Sequence, residues 1–338
     1  ADPQAVTTAL VVGAGISGLA CAASLHAAGI DVAVAERGRT VGGRMASRRL
    51  RDTGSACDGR TVDIGASYFT ASTPMYQDVV QDWIDRDLAR AWTDTFHVAD
   101  SDGVLGVRTG PMRYAANAGL RSLLHDLASR LPQVSVQCEV SSVRSDRGGL
   151  VVDERVVDAV ALCMPNAQAH RIIDASVMTA EVESALTAVT YEPVIAVTLV
   201  FAQQCWNDFD GMFINDDPVL TWVANDGSRR GDGAPVLVAH VNPVLAAHHL
   251  HDAPSVVPLV IATVSRIMSL GQLPVWTDAQ RWTYAKPLAA HREAFHLQAD
   301  SMLGLAGDAW ADGPRVETAW LSGHLLGGQM AHLLGDSD

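Results

Sequence analysis

Short apolar runs of strand length alternate with longer stretches of helical period along this chain. Strands are predicted at Thr8–Val12, Val32–Glu36, Val134–Cys138, Ala159–Cys163, Val194–Phe201, Val219–Val223, Val236–His240 and Met302–Ala306. Helices are predicted at Ile16–Ala28, Met75–Leu88, Tyr114–Arg130, Ala180–Ala188, Ser255–Met268 and Val316–Leu334. The early strand–helix–strand order predicts a parallel sheet, because a crossover helix returns the chain to the same edge. From Pro193 to Val241 the strands are split by turns such as Asn215-Asp216-Asp217-Pro218 and Asp226-Gly227-Ser228. That spacing predicts a mainly antiparallel sheet in a second lobe. The expected architecture is α/β, with one lobe built from both ends of the chain and the other inserted into it.

Composition narrows this picture. A chain of 338 residues is long enough for two lobes and buries a core that needs no disulfide staples. The net charge of −14 argues against nucleic acid, whose binding rests on neutralising phosphates. Cys21, Cys57, Cys138, Cys163 and Cys205 are scattered and odd in number, which points to a reducing compartment and away from zinc. The His248–His251 cluster lacks the further ligands that a metal needs, so no metal site is expected. No apolar run approaches the ~18 residues of a membrane helix, so the expectation is a cytoplasmic protein without a membrane partner.

The strongest chemical signal follows the first strand. Gly13-Ala14-Gly15-Ile16-Ser17-Gly18 has the G-x-G-x-x-G spacing between a strand and an alanine-rich helix. Gly13 allows the tight turn, Gly15 lets backbone approach a pyrophosphate, and Gly18 lets helix and strand pack closely. The helix N-terminus offers N–H groups and a positive dipole end to phosphate. Glu36 ends the second strand eighteen residues after Gly18, where an acceptor for ribose hydroxyls belongs.

The fingerprint alone fits NAD or FAD. Arg37 and the Gly42-Gly43-Arg44-Met45 run follow the acid, and Arg44 is suited to pair with pyrophosphate oxygens. Near the other end, Gly307-Asp308 closes a strand before the helix that begins at Val316. That carboxylate can serve a ribityl chain or phosphate, and the helix N-terminus can face the flavin C2 carbonyl. Three such patches favour non-covalent FAD over NAD. The first lobe is therefore expected to be a Rossmann-type FAD-binding domain of residues 1–75, 115–165 and 288–338. The substrate lobe is expected to take residues 76–114 and 166–287.

Gly42–Met45, Asp63–Thr70, Arg281–Pro287 and Ala306-Gly307-Asp308 with Pro314–Gly323 together resemble the bacterial renalase-like proteins, within the amine oxidase superfamily. The resemblance runs over nearly the whole chain. It implies non-covalent FAD and oxidation of misreduced dihydronicotinamide isomers, the 2- or 6-dihydro forms of NAD(P), with oxygen as electron acceptor. It also implies cofactor contacts at Gly65, Ala66, Ser67, Tyr68, Val140, Glu317 and Ala319, beside those already named. Three positions depart from the pattern: Ser67 replaces a glutamine, Lys286 an arginine, and Thr318 a glycine.

Hydride loss from such an isomer leaves an aromatic cation and needs no general base, so no catalytic side chain is assigned. A flat substrate calls for aromatic walls with a few polar anchors. The candidates are Tyr68, Trp222, Asn225, His240, Trp282 and Tyr284. The partner is expected to be a small molecule, a dinucleotide on the family resemblance. Oxidation of an amine or other small metabolite, an idle flavin-binding redox sensor, and an NAD-linked dehydrogenase stay open as alternatives.

Overall fold

A computed structural model describes residues 8–146, 149–311 and 313–335, and the chain divides into two compact units. The first comprises residues 1–43, 124–190 and 287–338, and the second residues 44–123 and 191–286.

The first unit is built on a six-stranded sheet. Its order is His296–Gln298, Leu303–Leu305, Ala159–Leu162, Thr8–Val12, Asp31–Glu36, Val134–Val136. All neighbours run parallel except the antiparallel edge strand His296–Gln298. Ala159–Leu162 is buried at every position, which is why it reads as an unbroken apolar run. The helix Ile16–Ala27 follows the first strand, and the long helix Val316–Gly335 packs along it. Glycines make that contact possible. A methyl group at Gly323 would fall 1.9 Å from the Ser17 carbonyl, and one at Gly327 would fall 2.4 Å from the Cys21 carbonyl.

The second unit carries a seven-stranded sheet ordered Trp276–Pro287, Tyr191–Val200, Val236–Val241, Leu220–Asn225, Gly211–Ile214, Ala89–Asp100, Gly103–Ala116. It is mainly antiparallel, with one parallel pair between Gly211–Ile214 and Ala89–Asp100. Both faces of its centre are covered. Ile195, Val197 and Leu199 pack with Val256, Val260, Val264 and Ile267 at the helix Val257–Met268. Ala196, Val200, Val236 and Val238 pack with Ala46, Leu50, Cys57, Val62 and Ile64 on the opposite face.

The structure corrects several sequence expectations. The Tyr114–Arg130 helix begins only at Leu120, because Tyr114–Ala116 pair in the hairpin with Ala89–Ala91. That long hairpin was not anticipated, nor was the twelve-residue strand Trp276–Pro287. The compact units also break at different places from the expected lobes. Residues 44–75 and 115–123 fall in the second unit, and 166–190 in the first. The cause for residues 46–64 is packing, since their apolar side chains fill the face of the second sheet.

No helix among the described residues is long and apolar enough to cross a membrane.

The helix contact generates a paired prediction. Gly323→Ala must push two backbones apart and should cost about 1–3 kcal/mol. Gly328→Ala meets nothing within 4 Å and should be neutral or stabilise by up to ~1 kcal/mol. Thermal unfolding of both variants checks the contrast.

Candidate active site

In the first unit the glycine fingerprint forms the expected turn. Gly13 has φ +104°, and a Cβ there would lie 2.7 Å from the Cys163 carbonyl. A Cβ at Gly18 would lie 1.9 Å from the Gly13 carbonyl. Both glycines are thus demanded by the protein's own packing. A Cβ at Gly15 would meet nothing within 4 Å. The space above Gly15 is a cradle that a side chain would fill, as a pyrophosphate site requires. Gly15 is the N-cap of Ile16–Ala27, no side chain caps that helix, and its first turn holds no acid. The buried hydroxyl of Ser17 has no hydrogen-bond partner among the described residues. An open cradle, an uncapped helix start and an orphaned hydroxyl fit a dinucleotide phosphate.

The other patches of this unit gather at the same loop. The Glu36 carboxylate accepts from the backbone N–H of Ala14 at 2.8 Å and of Gly38 at 2.6 Å. It holds the glycine loop in shape. Gly42 N–H donates to the Ala14 carbonyl at 3.0 Å, and a Cβ at Gly43 would touch the Gly15 Cα at 3.3 Å. Arg37 is exposed, 4.0 Å from Glu139. Val140 is half-buried beyond the strand Val134–Val136, where Cys138 N–H donates to the Glu36 carbonyl. Gly307 has φ +150° and donates its N–H to Ser322 Oγ at 3.0 Å, just ahead of Asp308. Glu317 is fully buried, and Ala319 and Val316 lie in the same helical turn. The Thr318 departure is explained locally. Its hydroxyl accepts from Arg315 N–H at 3.0 Å and donates to the Gly313 carbonyl, closing the start of the helix.

In the second unit the Asp63–Phe69 segment is the hub. Trp282 Nε1 donates to the Ile64 carbonyl at 2.6 Å. Ala66 N–H donates to the Arg44 carbonyl at 2.8 Å, and a Cβ at Gly65 would sit 2.0 Å from that oxygen. The Arg44 guanidinium reaches the carbonyls of Tyr284 and Ala285 at 3.4 and 3.3 Å. Met45 is buried beside it. Ser67 Oγ accepts from Trp222 Nε1 at 2.9 Å, so this departure fixes an aromatic wall. The Tyr68 ring lies 5.8 Å from Trp222, 5.2 Å from Phe96 and 6.4 Å from Trp92.

Those rings share a face of the sheet. Phe213 pairs across strands with Trp222, and Trp222 pairs with His240. Gly211 is needed here, since a Cβ would come within 2.3 Å of the Trp222 ring. His240 bonds to the Gly65 backbone, while its Nε2 is buried and unpartnered. Burial, then the charge of Arg229, lowers its pKa to about 4, so it is neutral at pH 7. Burial holds the Tyr68 hydroxyl above its usual value, against the opposing pull of Arg113.

Of the six pocket candidates, Tyr68, Trp222 and His240 are brought together. Trp282 and Tyr284 support the hub from another strand, Tyr284 against Tyr191 at 5.8 Å. Both polar ends of Asn225 are taken up by the fold. Its Oδ1 accepts from Ser228 N–H at 3.2 Å, and its Nδ2 donates to the Phe209 carbonyl at 2.9 Å.

Sequence reasoning missed the buried ion network beneath the hub. Arg229, with no exposed surface, donates to the Ser67 carbonyl at 2.9 Å, to the Asp63 carbonyl at 3.4 Å and to Asp226. Arg230 donates to Asp63 at 2.8 Å, and Arg60 binds both Asp226 and Asp232. Burial would raise Asp226, yet Arg229, Arg230 and Arg60 hold it well below the usual carboxylate range. Asp63 also accepts from Ser47 Oγ at 2.6 Å and Leu120 N–H at 2.8 Å. The local signal was the acid-then-arginines run Asp226–Arg230, which read as a turn.

The fold and the glycine loop define a dinucleotide-binding flavoprotein, and comparison with known proteins agrees. Residues 11–86 match the NAD(P)-binding Rossmann-like domain. Residues 96–325 match the flavin containing amine oxidoreductase family. The chain belongs to that family and is an FAD-dependent oxidoreductase. Among solved structures, it is similar to a candidate protoporphyrinogen oxidase from Exiguobacterium sp. 255-15. That match has a TM-score of 0.77 and 15% identity, covering 98% of this chain and 100% of that one. It is also similar to a putrescine oxidase variant redesigned in cofactor binding, with a TM-score of 0.73 and 16% identity. There 98% of this chain and 99% of that one are covered. At such identities the likeness is one of fold.

The state of His240 sets a pH dependence. Its folded pKa of about 4 lies below the ordinary 6.5, so the unfolded chain takes up the proton first. Its effect is nil above pH 6.5, and stability falls as pH drops from 6.5 toward 4, by roughly 3 kcal/mol. His240→Asn should flatten this part of the stability profile, as measured by unfolding at pH 7, 6, 5 and 4.5.

Proposed function

We propose that this oxidoreductase takes a hydride from misreduced dihydronicotinamide isomers, 2- or 6-dihydro-NAD(P), and releases NAD(P)+. The observation that carries the reading is a cluster of aromatic rings whose titratable neighbours among the described residues, His240 and Tyr68, are poor proton acceptors at neutral pH. His240 is too weak a base, and burial disfavours ionisation of Tyr68. Lys286, the chain's single lysine, has an exposed side chain 3.5 Å from Glu192. Oxidation of an amine requires the nitrogen to lose its proton first. A dihydronicotinamide ring becomes an aromatic cation by loss of hydride alone.

Bound FAD would supply the hydride acceptor, with oxygen as the final electron acceptor. The chain's own residues bind and orient. The loop around Gly15, the start of the helix Ile16–Ala27 and the Gly42-Gly43 turn offer backbone to the pyrophosphate, with no covalent attachment. Tyr68 and Trp92, the partly exposed rings, give the substrate ring faces to stack on, and the buried rings of Phe96 and Trp222 back them. His240 Nε2, neutral and unpartnered, accepts a hydrogen bond from a carboxamide N–H.

The test is an anaerobic titration of the purified protein with 2- and 6-dihydro-NAD(P), following the visible band of the oxidised flavin. Ordinary 1,4-dihydro-NADH is the control. Rapid bleaching by an isomer and not by the control is expected. A yellow protein bleached by amines and by no isomer would reject this substrate class.

A further inference from the structure

Two arginines lie against the aromatic cluster, Arg113 buried at 9% exposure and Arg108 exposed. The Arg113 guanidinium carbon lies 4.3 Å from the centre of the Phe96 ring. Arg108 pairs with Phe96 across the hairpin, so both project from one face of the sheet. Neither arginine forms an ion pair among the described residues. Arg113 donates to the backbone carbonyl of Asp94, which leaves its charge uncompensated. Arg108 is exposed. A chain with 38 acidic and 24 basic residues has carboxylates to spare, yet none among the described residues forms an ion pair with these two groups.

The register places the charges beside the rings. Phe96 contacts Trp222 at 4.9 Å between centroids and Tyr68 at 5.2 Å. Between Thr93 and Thr95 the pairing slips from Arg113 to Thr109, so three residues, 110–112, stand against one, Asp94. A bulge of this kind re-aims a side chain, and here the Arg113 guanidinium ends over the Phe96 ring. Gly110 lies under it, since a Cβ there would fall 2.8 Å from Arg113 Nη2. Aromatic faces bordered by guanidinium groups suit a flat ring joined to phosphate. The same charges oppose an alkylammonium substrate, which like-charge repulsion would keep from the wall.

We infer that Arg108 and Arg113 form a phosphate subsite at the edge of the Tyr68–Phe96–Trp222 wall, selecting a phosphorylated aromatic substrate over a cationic amine. This deepens the proposed function and rests on that reading for the identity of the ring. The subsite takes the pyrophosphate or phosphate of the substrate and acts on binding alone. No bond is made or broken there.

The experiment uses the flavin-loaded protein and its Arg108→Gln, Arg113→Met and Arg113→Lys variants. The first readout is calorimetric titration with ADP-ribose, which carries a pyrophosphate and no nicotinamide. The second is rapid-mixing reduction by the active dihydro-NAD isomer and by the matching phosphate-free dihydronicotinamide riboside. Arg108→Gln and Arg113→Met should each weaken ADP-ribose and dinucleotide binding about 10- to 100-fold. Riboside affinity should hold in both variants, and Arg113→Lys should recover part of the loss. Equal losses for riboside and dinucleotide would overturn the subsite and make the arginines props for Phe96. Unchanged ADP-ribose affinity in both variants would overturn it as well. If no isomer bleaches the wild-type flavin but ADP-ribose binding depends on the arginines, the subsite stands while the substrate assignment falls.

Discussion

The second unit depends on one buried guanidinium. Arg229 has no exposed surface, and its donors are spread over the Asp226 carboxylate and the carbonyls of Asp63 and Ser67. Burying a charge is costly unless paired, and here three arginines meet three aspartates in one cluster. A hydrophobic replacement could give equal stability, but it could not hold two carbonyls of an irregular segment in fixed positions. The planar fork of arginine does that, and a lysine point charge does not. The network therefore sets the course of residues 63–68. That course in turn places the Ser67 hydroxyl at the Trp222 indole N–H and the Tyr68 ring against Phe96.

The first unit solves a different problem with the opposite means. Its loop must come close to a bulky anion, so it removes side chains and adds none. Gly13 and Gly18 satisfy the strand–turn–helix packing, whereas Gly15 keeps space that no protein atom needs. Glu36 spends its carboxylate on two backbone N–H groups and so pre-shapes the loop. This refines its expected part in holding a ribose, since a preformed loop lowers the ordering cost of binding.

The glycine loop, the parallel sheet and the two-lobed plan were legible because their causes are local. A glycine fingerprint and a fully buried strand each write their requirement into consecutive residues. The contacts of Ser67 and Thr318 give physical reasons for two of the three departures from the resemblance. What stayed hidden is held by distant partners. The hairpin Ala89–Ala116 has an outer strand exposed from Val104 to Met112, so it lacks the alternation that marks a half-buried strand. Tyr114-Ala115-Ala116 favours a helix locally and is overruled by pairing with residues 89–91. Arg229 sits in a run that reads as a turn, and its meaning lies in partners more than 160 positions away. Asn225 looked like a pocket group because the same run gave no hint that it caps the helix that follows.

The central claim is that Arg229 builds the proposed substrate wall by pinning the Asp63–Tyr68 segment. The most direct measurement is rapid-mixing reduction of the flavin in Arg229→Lys, with whichever substrate bleaches the wild type. The account predicts full flavin content and a limiting reduction rate lowered about 100-fold, as misplacement of a bound reactant by ~1 Å would give. A limiting rate equal to the wild type, in a variant that folds and holds its flavin, would contradict it.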